Sequence, residues 1–438
     1  MSDAKTDGMQ TIHVADHSRA ISTLAMSLPV GGLTDPVDRP GLAYLTGQML
    51  MRGAGDMDHA ALTDALDYLG SSFNVGVGRE RTSASGDTLT RQLDTFESLV
   101  TAILTHPRFD PEELLKLQRQ TRAEIAQVVD RDASVGQRFF VRKLFGDHPY
   151  GRPLKGTEAS VDNVTIDDVR EFFATRYTRS GVLIAAAGDI TKERLGSYVE
   201  RCLGGLAETT ITPTIVMPPT PRKGIRLTLV DKPDRSQTQV FMGHTTLDAN
   251  HADYFPLMVG QTVFGGTFTA RLSHEIREKR GWSYGAYTYL STDRHLGTLL
   301  TRFYPGVQDT VAAIKVADTM FCDLVRDGIT ADELGATKSY LKNGHVFSVD
   351  TPERKLSELV GARLVGRPDD FVETYVDHIE AVTLDQVNAA MARHLTPNDM
   401  EWVVLGTASD LTESLAALSR VDVMETHDYR MPLDEIPY

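Results

Sequence analysis

The chain is poor in cysteine and has no long apolar stretch. Its two cysteines, Cys202 and Cys322, lie far apart and outside any Cys-x-x-Cys spacing, so they are expected to be buried small hydrophobes rather than disulfide partners. No apolar run approaches the roughly 20 residues that span a bilayer, and the polar start MSDAKTDGMQ lacks a signal-peptide pattern. The sequence predicts a soluble protein without a membrane span, cytoplasmic as given, or periplasmic or secreted if a signal peptide was removed.

Positive charge is also scarce. The chain has 45 Lys and Arg against 60 Asp and Glu, a formal net charge of −15. Sequence-independent nucleic-acid binding requires clustered Lys and Arg that displace counterions. This excess of negative charge therefore argues against nucleic acid and anionic membranes as partners. It remains compatible with basic or unfolded peptides as partners.

Common catalytic motifs are missing as well. The sequence contains no HExxH, HxxEH, paired CxxC or phosphate-binding GxxxxGK[ST] pattern. The 13 histidines are scattered, and no convergent set of His, Asp and Glu is visible. We therefore expect no metal or other cofactor in this chain.

What the sequence does contain is an internal duplication. A length of 438 residues favours two or more domains, and a proline-rich stretch near the midpoint favours an extended connector. Three segments recur in the same order on either side of it: 40–53 and 253–266, 108–118 and 328–338, and 161–177 and 379–395. The predicted organisation is a first domain over 1–210, a linker over 211–224 and a second domain over 225–438.

Each half has the pattern of an α+β domain. A pair of alternating apolar strands opens each half, and helices and further strands follow. One long helix is predicted to begin at Asp110, with Pro111 in its first turn. Helices in runs beside antiparallel strands favour two homologous α/β sandwiches of about 200 residues each.

The segment LSHEIREKRGWSYGAYTYL (272–290) is unusual in composition. A charged helix is predicted to end at Gly281, which can take the left-handed cap conformation, and a tyrosine-rich strand follows. Arg277 would then lie near the helix end and Tyr284 just beyond the turn, where both could face one cleft. The alternative is a solvated helix end followed by an aromatic strand face.

Taken together, these segments resemble the pitrilysin/insulinase family of zinc peptidases (inverzincins), in the branch of the mitochondrial processing peptidase. GLAYLTGQMLMRG lies where the family has G-x-A-H-x-x-E-H-x-x-x-x-G, and VFGGTFTARLSHEIREKRGWSYGA is similar to its second-domain signature. The strand LGSSFNVGVGRERTSASG matches through Asn74, Glu80 and Thr82. The likeness covers nearly the whole chain and implies two sandwiches that form half of a clamshell chamber.

The resemblance also locates the departures from the family pattern. Tyr44 and Gln48 occupy the positions of the two histidine ligands, and Gly47 occupies that of the general base. Glu124 falls at the spacing of the third ligand. Tyrosine and glutamine are poor zinc ligands, and glycine cannot abstract a proton. This degenerate metal site is expected to hold no zinc, and the chain should not hydrolyse peptides by itself.

In two-chain members of the family, one subunit provides HxxEH and the other provides an Arg/Tyr pair, which Arg277 and Tyr284 match. The resemblance therefore implies a metal-free subunit of a heterodimer, or of a dimer of heterodimers, whose HxxEH-bearing homologous partner carries the zinc. Arg277 and Tyr284 would complete that partner's site. Peptide substrates would bind as an added strand, and the predicted binding residues are Phe73, Asn74, Glu80 and Thr82.

Two alternatives stay open. The chain could be a non-catalytic scaffold or peptide-binding protein with no role in proteolysis, like the core subunits of respiratory complex III that share this fold. An active homodimer with a relocated metal site is disfavoured, because the sequence shows no convergent ligand set.

Overall fold

The structure is a computed structural model that describes residues 10–209, 216–220 and 222–438, so residues 211–215 and 221 of the predicted linker lie outside it. The strands are β1 (Gln10–Ala15), β2 (Ile21–Leu28), β3 (Gly53–Ala54), β4 (Met57–Asp58), β5 (Ser72–Val77), β6 (Thr82–Leu89), β7 (Leu183–Gly188), β8 (Ile225–Asp231), β9 (Gln239–Thr246), β10 (Ala286–Thr292), β11 (Gly297–Phe303), β12 (Met400–Gly406) and β13 (Val421–Asp428).

The α-helices are α1 (Leu42–Met49), α2 (His59–Leu69), α3 (Leu93–Thr105), α4 (Pro111–Ala126), α5 (Asp132–Phe145), α6 (Glu158–Asn163), α7 (Ile166–Arg176), α8 (Lys192–Gly204), α9 (Tyr254–Gln261), α10 (Arg271–Ser273), α11 (Thr310–Asp327), α12 (Ala331–Ser348), α13 (Pro352–Leu364), α14 (Phe371–Ala381), α15 (Leu384–His394) and α16 (Ala408–Ala416). Two π-helical turns cover Thr262–Gly266 and His274–Lys279. In the part of the chain that the structure describes, no helix is both long and apolar enough to cross a membrane.

The chain divides into two compact units that are discontinuous in sequence. Unit 1 takes its described residues from 1–127, 152–215 and 348–360, and unit 2 from 128–151, 216–347 and 361–438. The segment 128–151 belongs to unit 2 because α5 packs on that unit's sheet, where the Phe140 and Phe241 rings stack 6.2 Å apart. Each unit thus includes a short segment from the other half of the sequence.

Unit 1 contains a sheet with the strand order β1-β7-β2-β6-β5. Strand β1 runs parallel to β7, and the other neighbours are antiparallel. Helix α1 packs on this unit through Leu42, Leu45 and Met49, whose spacing places them on one helical face. The buried Asp35 carboxylate accepts hydrogen bonds from two backbone N–H groups at the start of α1, which fixes where that helix begins.

Unit 2 repeats this architecture. Its sheet order is β10-β11-β9-β12-β8-β13, so β8, β12, β9, β11 and β10 correspond in order and direction to the five strands of unit 1, and β13 is an addition. The matched segments around α7 and α15 both begin with a capping box, at Thr165 and Thr383. The structure confirms two homologous α+β domains, as the repeated segments predicted.

Candidate functional site

The degenerate metal site lies on α1, and its side chains serve the packing of unit 1. The Gln48 amide donates a hydrogen bond to the carbonyl of Val75 on β5, at 3.0 Å. Gly47 is buried, and a Cβ atom at this position would lie 2.3 Å from Cγ2 of Val77 and 3.4 Å from the Tyr177 hydroxyl. The space that a general base would need is therefore already filled.

A lysine that the sequence reasoning missed sits between two of the remaining positions. The Lys155 ammonium lies 2.7 Å from the Glu124 carboxylate and 5.5 Å from the centre of the Tyr44 ring. The hydrogen bond from Lys155 lowers the pKa of Glu124, and desolvation by burial raises the pKa of Tyr44. Lys155 thus supplies a fixed positive charge that neutralises the only carboxylate of the degenerate site.

These residues do not fit a catalytic zinc ion. The two histidine positions hold a phenol and an amide that is engaged by the backbone, the general-base position has no side chain, and the carboxylate is paired with lysine. Zinc sites are built from three or more imidazole, thiolate or free carboxylate ligands. The residues on α1 therefore lack the groups that zinc-dependent hydrolysis requires.

Of the four predicted substrate-binding residues, two are buried, one is half-buried and one is exposed. Phe73 packs its ring edge-to-face against Phe96, with centroids 6.1 Å apart, and the Thr82 hydroxyl donates to the carbonyl of Val30 at 2.8 Å. Their side chains belong to the core and cannot face a peptide. Asn74 is exposed and Glu80 is half-buried. Since β5 is the last strand in the sheet order of unit 1, its backbone edge is the feature that remains for peptide binding.

Unit 2 has a similar Gly-Gln pair on α9. The Gln261 amide donates to the carbonyl of Thr288 on β10, as Gln48 does to β5. A Cβ atom on Gly260 would lie 2.5 Å from the sulfur of Met391. The repeated use of glycine for close packing and glutamine for anchoring an edge strand indicates a structural role for this pair in both units.

Arg277 lies in the second π-helical turn, and Tyr284 lies in the loop that follows this turn. Gly281 has φ +65°, the left-handed conformation that the sequence predicted for the helix end. The Ser283 hydroxyl donates to the Gly285 carbonyl at 2.6 Å and accepts the N–H of Tyr304 at 2.8 Å. These bonds hold the short loop that carries Tyr284.

The two side chains border one open cavity of about 480 Å³, lined by Arg277, Glu278, Gly281, Ser283 and Tyr284. The guanidinium of Arg277 lies 3.9 Å from the centre of the Phe268 ring and 5.7 Å from that of Tyr284. Tyr284 is 90% exposed. Stacking on Phe268 positions the cation beside the exposed Tyr284 ring, so the cavity offers the tyrosine hydroxyl as a hydrogen-bond donor and a positive charge to a bound molecule.

The structure also brings together three possible metal ligands that the sequence did not reveal. Among the described residues, His251, Asp253 and His394 form the one group whose ligand atoms all lie within 4.8 Å of one another. His394 is 141 residues from Asp253 in the chain, so no local spacing could have signalled the group.

Comparisons with known proteins agree over most of the chain. The profile described as "Insulinase (Peptidase family M16)" matches residues 10–158, and that described as "Peptidase M16 inactive domain" matches residues 163–341. An uncharacterized zinc protease of Mycobacterium tuberculosis is 28% identical over 384 residues, 86% of each chain. A non-peptidase homolog of Helicobacter pylori is 21% identical over 399 residues, 90% of this chain and 91% of that protein.

The structural likeness extends over a similar length. The crystal structure of a peptidase M16 inactive domain from Pseudomonas fluorescens superposes with a TM-score of 0.86 and 23% identity, covering 93% of this chain and 97% of that one. At this identity the superposition shows a shared fold.

Proposed function

Because the chain belongs to the M16, or pitrilysin/insulinase, family of peptidases and is an inactive member of it, we propose that it is the metal-free subunit of a heterodimeric zinc endopeptidase. An HxxEH-bearing homologous subunit would hold the zinc and cleave peptides or unfolded protein segments. This chain would contribute Arg277 and Tyr284 to the partner's active site.

The observation that carries the proposal is the contrast between a filled site and an open one. At the degenerate metal site, Lys155 pairs with Glu124 and leaves no ligand set. At the other site, Arg277 is positioned by Phe268 beside Tyr284, a largely exposed aromatic side chain at the rim of a cavity. A tyrosine that is 90% exposed contributes little to the core of unit 2 and is accessible to a substrate.

The chemistry of the pair suits peptide hydrolysis in a partner's site. A tyrosine hydroxyl can donate a hydrogen bond to the oxyanion of a tetrahedral intermediate. A guanidinium can hold a substrate carbonyl or orient the tyrosine. The peptide itself would extend along the free edge of β5, where main-chain hydrogen bonds supply affinity and the exposed Asn74 and half-buried Glu80 lie nearby.

A second candidate function is a scaffold or peptide-binding protein with no part in proteolysis. It is favoured by the Gly-Gln pairs of α1 and α9, which anchor the edge strands of both units and need no catalytic partner. This candidate leaves the exposed Tyr284 without a role, so we rank it second.

The test is a peptidase assay on an unfolded peptide with this chain alone, an HxxEH-bearing partner alone, and the two mixed. We expect activity only in the mixture, sensitive to a chelator, and reduced at least about tenfold, or 1.4 kcal/mol, by Arg277→Ala or Tyr284→Phe. Tyr68→Phe is the matched control, since Tyr68 is a similarly exposed tyrosine on α2, 88% accessible, and should leave the rate unchanged. Full activity of the partner alone, unaffected by this chain, would contradict the proposal and leave the scaffold.

A further inference from the structure

A group of metal-ligand side chains lies in unit 2, at the junction of α9 and α15. Asp253 is the residue before α9, His251 lies in the turn that leads to it, and His394 is the last residue of α15. We propose that His251, Asp253 and His394 bind one divalent transition-metal ion, for which Zn²⁺ is the best match, and that this ion ties the start of α9 to the end of α15.

The spacing of the ligand atoms supports a tetrahedral ion. Nε2 of His394 lies 2.7 Å from Oδ2 of Asp253, and Nδ1 of His251 lies 4.0 Å from the same oxygen. Zinc bonds of about 2.0–2.2 Å at tetrahedral angles require ligand atoms about 3.3 Å apart. These two distances lie on either side of this value, and the third separation is at most 4.8 Å, so side-chain shifts of about 1.5 Å or less would bring the three ligands into place.

The donor types and their exposure also fit. Two imidazoles and one carboxylate are a common three-ligand set for Zn²⁺, which leaves a fourth position for water. The side chains of Asp253 and His394 are 20% and 15% exposed, whereas that of His251 is 37% exposed. An ion could therefore reach the group from the His251 side and contact two ligands that are already held in place.

The turn that carries His251 directs the Nδ1 lone pair of its ring toward Asp253. Nδ1 of His251 accepts the backbone N–H of Asp253 at 3.0 Å, and the rings of His251 and His394 pack edge-to-face with centroids 4.6 Å apart. The Nδ1 lone pair thus already faces Asp253, and the metal would take it over from the backbone.

Arg393 is the competing cation. Its guanidinium also pairs with Oδ2 of Asp253, and its side chain is 61% exposed. Because exposed ion pairs contribute little, Arg393 can turn toward solvent when a divalent ion binds. Removing its charge should strengthen metal binding, which a purely structural polar cluster would not do.

The test is a Co²⁺ titration of the full chain, free of any affinity tag, followed by visible absorption, with thermal unfolding measured with and without Zn²⁺. We expect one Co²⁺ per chain with the absorption of a tetrahedral site, a higher Tm with Zn²⁺, and affinity lowered at least about tenfold by His394→Ala or His251→Ala. Arg393→Gln should bind at least as tightly as the unaltered chain.

His17→Ala is the matched control, because His17 and Asp189 form a similar His–Asp pair at 2.7 Å without a third ligand. His251→Ala, in an exposed turn, guards against misfolding, and its Tm without metal should equal that of the unaltered chain. Absence of Co²⁺ absorption at about a tenfold excess of metal, or binding by both histidine variants as tight as that of the unaltered chain, would overturn the proposal. The experiment uses this chain alone, so its outcome is independent of any partner peptidase.

Discussion

The two units use the same framework for different ends. Both have a Gly-Gln pair on the helix after the first two strands, and both glutamines anchor an edge strand through a backbone carbonyl. In unit 1 the Lys155–Glu124 ion pair occupies the degenerate metal site beside this helix. In unit 2 the helix continues into a π-helical turn, and a second π-helical turn leads to the open cavity of Arg277 and Tyr284.

The residues at the metal positions of unit 1 therefore have a structural role of their own. Gln48 makes the contact that Gln261 makes in the other unit, so the second ligand position of the family has the structural role that is present in both halves of this duplicated fold. The features suited to a substrate lie instead at the π-helical turns, a geometry that is frequent at functional sites.

Restoring the family's metal motif should cost the most unfolding free energy. The triple variant Tyr44→His, Gly47→Glu, Gln48→His should lose about 3 kcal/mol or more of unfolding free energy, because a side chain at position 47 meets Val77 at 2.3 Å and its charge would be buried. Urea unfolding measures the loss. The double variant without Gly47→Glu is the control and should lose less. A triple variant as stable as the double would show that unit 1 can still accept the motif.

The next prediction concerns a difference between the matched strands β7 and β12. All six residues of β7 are buried and apolar or glycine, whereas β12 includes the buried Glu401. Desolvation by burial raises the pKa of Glu401 to about 7, although Arg222 opposes this. The native state therefore retains a proton that the unfolded chain releases above its usual pKa of 4.5, so stability falls as the pH rises from about 4.5 to 7.

Glu401→Gln should remove this part of the pH dependence. Relative to the unaltered chain, the variant should gain about 2 kcal/mol of unfolding free energy between pH 5 and pH 8. Thermal unfolding at the two pH values is the measurement, and Glu373→Gln, on the surface of α14, is the control. An unchanged pH profile would mean that Glu401 is ionised in the native state.

The local features of the fold were predictable from the sequence. Asp110 caps α4 with Pro111 in its first turn, and Gly281 has the left-handed conformation, because such signals depend on a few neighbouring residues. The duplication was also visible, since each unit repeats the same order of strands and helices. The sequence likewise placed Arg277 and Tyr284 on either side of one turn, and the structure brings both to one cavity.

Features that join distant residues were not predictable. No spacing rule links Lys155 to Glu124, which are 31 residues apart, or α5 to the sheet of unit 2. The burial of Phe73 and Thr82 was missed for a different reason. Side chains alternate between the two faces of a strand, and motif matching assigned residues to a site without asking which face each one takes.

A smaller effect tests whether the two glutamine anchors are equivalent. Gln48→Leu and Gln261→Leu should each cost about 1–2 kcal/mol of unfolding free energy, because the carbonyl that each glutamine serves loses its donor. The loss should be greater at Gln261, which is 8% exposed, than at the partly exposed Gln48. Urea unfolding measures both, with Gln127→Leu at the exposed C-terminal end of α4 as the control. A loss at only one position would show that the repeated pair has separate roles.

The smallest effect concerns the lysine of the degenerate site. Lys155→Met removes the hydrogen bond that lowers the pKa of Glu124. In the unaltered chain desolvation lowers the pKa of Lys155, but its interactions with Glu124 and Tyr44 outweigh this and raise it. The pair stabilises the fold between the usual pKa values of 4.5 and 10.5, and its contribution disappears as the pH falls through the lowered pKa of Glu124 or rises through the raised pKa of Lys155. Both side chains are about a third or more exposed, so we expect a loss below about 1 kcal/mol at pH 7.

Urea unfolding at pH 7 and pH 3 measures this difference, and Lys155→Arg, which keeps the charge, is the control. The difference between the variant and the unaltered chain should shrink from pH 7 to pH 3, as the pH falls toward the lowered pKa of Glu124. If Lys155→Met were instead more stable than the unaltered chain at pH 7, the burial of the two charges would outweigh their attraction. Lys155 would then be a residue that keeps the carboxylate from other cations rather than one that stabilises unit 1.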